Sequence, residues 1–97
     1  VKVIWTQNAV TRLTEIEDFI AIDSSERAVS FVLELMDQAD TLASFPDSGR
    51  IVPEDVEGRR RELIYQGYRI IYQVDKESVF ILSVFEGSRL LRSDDLK

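Results

Sequence analysis

Residues 59–85 contain three β-forming segments, RRRELIYQ, YRIIYQV and VFILSVF, joined by a Gln66-Gly67 turn and by the connection DKES at 75–78. Parallel neighbours need a crossover of a dozen residues or more, so links this short leave only antiparallel pairing. A tight turn at Gln66-Gly67 places Tyr65 opposite Tyr68 and Ile64 opposite Arg69. Strict alternation then puts Arg61, Leu63, Tyr65, Tyr68, Ile70, Tyr72, Val74, Val79, Ile81 and Phe85 on one face. Arg60, Glu62, Ile64, Arg69, Ile71, Gln73, Phe80, Leu82, Val84 and Glu86 go to the other. The first face is aromatic and aliphatic almost throughout and needs a cover; the second mixes apolar residues with charge.

The first half supplies the cover. VKVIW is β-rich and predicts a short first strand at residues 2–5, with Thr6 as a helix N-cap. Ala9, Val10, Leu13, Ile16, Phe19 and Ile20 recur at three- and four-residue spacings, the stripe of an amphipathic helix ending near Ile22. The DSSE stretch resembles a capping box, Asp23 with Glu26. A second stripe follows: Ala28, Val32, Leu35, Met36, Ala39, Leu42 and Ala43. Phe31 and Leu33 lie off it, which leaves two readings: packing on the first helix or a loop, or a partner's footprint. Helices joined by two or three residues fold back as an antiparallel hairpin. SFPDSGRIVPEDVEG, residues 44–58, breaks the periodicity. Loops that long in a small domain usually bind something or cross another element. The expected order is β-α-α-β-β-β, one α+β domain over residues 1–97 with a helical hairpin on one face of a small antiparallel sheet. The end, GSRLLRSDDLK, reads as either a short edge strand or a helical turn.

Composition narrows the chemistry. The chain has no cysteine and no histidine, which removes disulfides, thiolate metal sites and imidazole acid–base chemistry. The first ten residues lack the layout of a signal peptide and VFILSVF is too short to cross a bilayer, so a cytoplasmic location is expected. Net charge is −6, distributed unevenly. Residues 1–58 carry four Lys/Arg against twelve Asp/Glu, and residues 59–97 carry eight against six. Either acids solvate the helices while arginines happen to lie on strands, or the second half offers a basic surface to an anionic partner.

The strand residues Arg60, Glu62 and Arg69 share a face in this register. They read either as an ion-pair ladder, Glu62 neutralising Arg69 or Arg60, or as a phosphate or carboxylate clamp. Tyr65, Tyr68 and Tyr72 alternate with polar residues as nucleic-acid platforms do, but tyrosines on strands are more often core. A nuclease would have to draw its proton-transfer groups from Glu62, Glu86, Lys76 and the tyrosines, with Arg69 and Arg89 holding phosphate. Nothing in the spacing requires such a site.

The order of elements, the FPDSGRIVPE loop, the RELIYQGYRIIYQV hairpin and the closing ILSVFEGSRLL together resemble the RelE/ParE superfamily of bacterial toxins. These belong to type II toxin–antitoxin systems, also known from plasmid stabilisation. The REL start and RLL end are more similar to the ParE branch. That resemblance implies a toxin that inhibits DNA gyrase, is neutralised by a cognate antitoxin whose disordered tail folds on it, and meets operator DNA only through that antitoxin. The alternatives are a RelE-like ribosome-dependent mRNA endoribonuclease and a non-toxic binding member. Arg69 and Arg89 match arginines of the nuclease branch. Glu62, however, stands where ribosome-dependent members tend to carry lysine, no tyrosine or histidine follows Arg89, and Glu86-Gly87 replaces a frequent His-Gly. No catalytic residue, metal or cofactor is therefore assigned. The candidate contacts to target or antitoxin are Arg59, Arg60, Arg61, Arg69, Arg89, Arg92, Phe31 and Leu33, with Glu62 and Arg69 as a structural ion pair.

Overall fold

The structure is a computed structural model, and it describes residues 1–87. Strand β1 (Lys2–Trp5) leads into helix α1 (Gln7–Ala21) and helix α2 (Ser25–Asp40), followed by a 3-10 turn at Thr41–Ala43. Strands β2 (Arg50–Ile51), β3 (Arg61–Tyr65), β4 (Tyr68–Asp75) and β5 (Ser78–Glu86) complete one sheet of order β1-β5-β4-β3-β2. The β3–β4 register sets Tyr65 against Tyr68 and Ile64 against Arg69. Its turn needs two positive φ angles, which Gln66 (+47°) and Gly67 (+84°) adopt.

The meander β2 to β5 is antiparallel, whereas β1 adds to β5 in parallel, so the sheet is mixed. The helical hairpin between β1 and the meander provides the crossover that parallel pairing requires. The long loop also contributes something periodicity cannot reveal, the two-residue strand β2 on the outer edge of β3.

Three local expectations are corrected. The N-cap of α2 is Ser24, not Asp23: its hydroxyl accepts from the Arg27 backbone N–H at 3.1 Å, with Glu26 inside the first turn. The buried arc of α2 is Ala28, Phe31, Leu35 and Ala39, so Phe31 belongs to the core rather than to a partner surface. It packs on Tyr65 and Tyr68, with ring centroids 6.2 and 5.1 Å away. Phe31 therefore faces the sheet, while Met36 of the expected stripe is exposed.

The third correction concerns β5. A bulge interrupts its pairing, with Ile71 opposite Ser83 and Tyr72 opposite Ile81, so Leu82 is the extra residue. One inserted residue reverses every later side chain. Val84 therefore joins the helix-side core with Ile70, Tyr72, Val79 and Ile81. Phe85 moves to a second cluster on the opposite face, with Val52, Ile71 and Leu82. The bulge is stitched to the start of α1: the Thr6 hydroxyl donates to Ile81 O at 2.7 Å, and Asn8 Nδ2 to Leu82 O at 2.8 Å. Thr6 also caps α1 by accepting from the Ala9 backbone N–H.

Candidate functional site

The arginines of the β3–β4 hairpin meet acids supplied by the loop between the helices and β3. Arg69, on β4, is 6 % exposed and lies between two carboxylates. Its Nη1 and Nη2 donate to the two oxygens of Glu54, each at 2.8 Å, and its Nε donates to Glu62. The guanidinium also lies over the Phe85 ring, 5.4 Å from its centroid. The side chain of Glu62, fully buried on β3, takes a second cation through its other oxygen: Arg50 Nε at 2.6 Å. A buried charge without a partner costs several kcal/mol, so the Arg69 guanidinium depends on its carboxylates, and most on the fully buried Glu62. The guanidinium of Arg69 holds the Glu54 carboxyl below its ordinary range, and the same pairing raises Arg69.

Sequence reasoning placed Arg60 with Glu62. The structure instead turns Arg60 to the loop, 4.0 Å from Asp55 and 3.6 Å from Glu57. β3 begins only at Arg61, so strand alternation does not extend back to Arg60. Arg59 lies 3.4 Å from Glu57. Arg61 faces the helix side of the sheet, where it donates to Gly49 O at 2.8 Å and approaches the Asp47 carboxylate at 3.7 Å. Arg89 and Arg92 lie outside the described residues. The residues that sequence reasoning overlooked are Arg50, Asp47, Glu54, Asp55 and Glu57. An acid-rich loop followed directly by three arginines was the available signal.

Asp55 organises the loop itself. Its carboxylate is nearly buried and accepts three backbone N–H groups, from Arg60 at 2.8 Å, Arg59 at 2.9 Å and Glu57 at 3.3 Å. Burial pushes its pKa up, but the three backbone donors outweigh that and leave it lowered. Val52 N–H donates to Arg60 C=O at 2.9 Å and closes the base.

The helical hairpin presents a second surface. Leu33 is 54 % exposed, and Val29 and Met36 are exposed beside it at i, i+4 and i+7 spacing on α2. Glu26, Asp37 and Asp40 are exposed on the same helix. Between the two surfaces, Glu34 ties α2 to β3 by accepting from the Tyr65 hydroxyl at 2.6 Å, and it also accepts from Arg27 of its own helix at 2.7 Å.

Comparison with known proteins places this arrangement. Residues 3–91 match the family model described as the ParE toxin of the type II toxin–antitoxin system parDE. Toxin RelE2 of Caulobacter vibrioides is 33 % identical over 89 residues, covering 92 % of this chain and 98 % of that protein. A solved structure titled as the chromosomal ParDE TA system from P. aeruginosa superposes with a TM-score of 0.76 at 21 % identity, over 89 % of this chain and 95 % of that one, a likeness of fold.

Proposed function

Because this chain belongs to the ParE toxin family of type II toxin–antitoxin systems, we propose that it arrests bacterial growth by acting on DNA gyrase in the cytoplasm, and that a cognate antitoxin holds it inactive. The observation that carries the choice of target is the state of Arg69. A phosphate-gripping arginine needs its guanidinium fork open to the ligand. Here both terminal nitrogens bind Glu54 and Nε binds Glu62. With no histidine in the 97 residues and Glu62 buried between two cations, no proton-transfer pair stands beside that arginine among the described residues.

The antitoxin's place is the helical surface. Exposed Val29, Leu33 and Met36 beside exposed acids suit a segment that alternates apolar anchors with lysines or arginines. A tail that folds as it binds covers such a surface and remains open to proteolysis. Operator DNA is reached through the antitoxin, since a chain of net charge −6 attracts nucleic acid poorly.

The second reading, a ribosome-dependent mRNA endoribonuclease, draws support from the name of the Caulobacter vibrioides relative. Purified protein decides between the two. Gyrase supercoiling and cleavage assays should show inhibition and linearised plasmid, while ribosomes carrying a translated message should show none of it cut. Message cleavage with gyrase untouched would overturn the gyrase reading.

A further inference from the structure

The segment 52–60 is more firmly held than its covering role requires. Val52 is buried in the cluster with Ile71, Leu82 and Phe85 and covers part of the sheet face opposite the helices. Beyond it, Glu54 is clamped by Arg69, the Asp55 carboxylate binds three backbone N–H groups, and a Val52–Arg60 hydrogen bond closes the base. Further hydrogen bonds run from Asp55 N to Val52 O and from Gly58 N to Asp55 O. The apex that these contacts fix in space covers nothing among the described residues. Val56 is fully exposed, and a Cβ added at Gly58 (φ +70°) would meet no atom within 4 Å. The side chains of Glu57 and Arg59 flank it, both largely exposed.

A lone apolar side chain on a surface needs no explanation. An aliphatic one at the tip of a loop fixed by a buried carboxylate and a fork-to-fork ion pair is different, because a preordered loop loses little conformational entropy when it docks. We propose that the loop 52–60 is the element by which this toxin engages its target, with Val56 entering a small apolar pocket on a protein and Glu57 and Arg59 at the rim. The arginines would then serve to hold the contact loop rather than to touch the partner. A protein fits better than a nucleic acid, since Arg59 and Arg60 each lie against an acid of the loop. The proposal rests on the toxin reading but not on gyrase as the target.

The experiment uses the full chain carrying Val56→Asp or Val56→Ala, expressed with and without its antitoxin. Both variants should keep the parent's thermal midpoint and its antitoxin complex, because the side chain is fully exposed among the described residues. Val56→Asp should lose growth arrest by at least about tenfold in surviving colonies, with Val56→Ala between it and the parent. Arrest by Val56→Asp equal to the parent's, or loss of its antitoxin complex, would overturn the proposal. A parent that arrests growth while leaving gyrase untouched would remove the gyrase reading and leave the dependence on Val56 to decide the loop. A parent that arrests nothing removes both.

Discussion

Arg69 holds Glu54 through both terminal guanidinium nitrogens at 2.8 Å, so a buried cation on β4 anchors the loop that crosses the sheet's open face. The second carboxylate of the site, Glu62, is shared between Arg69 and Arg50. The two acids differ in exposure, with the Glu54 side chain 41 % exposed and that of Glu62 fully buried. That difference orders their energetic weight.

Glu62→Ala should destabilise the fold by about 3–5 kcal/mol, because it leaves a buried guanidinium half-paired beside an empty site. Glu54→Ala should cost only about 1–2 kcal/mol, since water reaches the position it vacates. Urea unfolding of the two variants beside the parent measures both, and the reverse order would contradict the assignment of Glu62 as the buried centre.

Acid should weaken the fold through the same groups. The pKa of Glu54 is lowered by Arg69, and that of Asp55 is lowered by backbone donors that outweigh its burial. A carboxylate whose folded pKa is depressed releases its proton more readily when folded, so its stabilisation is complete above the unfolded value near 4. It is lost as pH falls through the lower folded value. Thermal midpoints should hold level from about pH 7 to 5, where no histidine titrates, and fall below about pH 4. Glu54→Gln should lower the neutral-pH midpoint and flatten the acid limb.

Phe31 and Leu33 lie two residues apart on α2 with opposite environments, one 4 % exposed and the other 54 %. Phe31→Ala should cost about 3–5 kcal/mol by opening a cavity over Tyr65 and Tyr68. Leu33→Ala should fall within about 0.5 kcal/mol of the parent. Titration calorimetry with the antitoxin should then register the Leu33 change as weaker binding, on an unchanged fold.

Gly49 sits where a side chain has no room. A Cβ there would stand 2.5 Å from the Glu62 carbonyl oxygen and 2.6 Å from the Tyr72 hydroxyl, which accepts the Gly49 backbone N–H at 2.9 Å. Gly49→Ala should destabilise by about 1–3 kcal/mol through forced displacement of the loop. Amide exchange at Arg50 and Ile51 should speed up in step, since those residues form the edge pairing that the displacement breaks.

Much of the architecture is written locally. The meander register follows from a two-residue turn and the alternation on either side of it, and Tyr65 opposite Tyr68 needs no distant information. The amphipathic stripes mark both helices for the same reason. The bulge at Leu82 is not legible, because VFILSVF is apolar at nearly every position and carries no alternation to break. Ser24 and Asp23 are both good caps, and only the path of the chain selects between them. Arg60 escapes the alternation because β3 begins only at Arg61, a boundary that local pattern does not mark.

The amino-acid sequence by itself determined the α+β class, the order of the elements and the pairing of the hairpin, since these rest on interactions between residues close along the chain. Tertiary structure alone decided that β1 joins in parallel, that Phe31 faces inward and that acids of the segment 47–57 neutralise the strand arginines. Asp47 and Arg61, and Glu54 and Arg69, lie 14 and 15 residues apart and find each other only after the sheet has brought a loop across its face. Their pairing depends on burial, which no local pattern records.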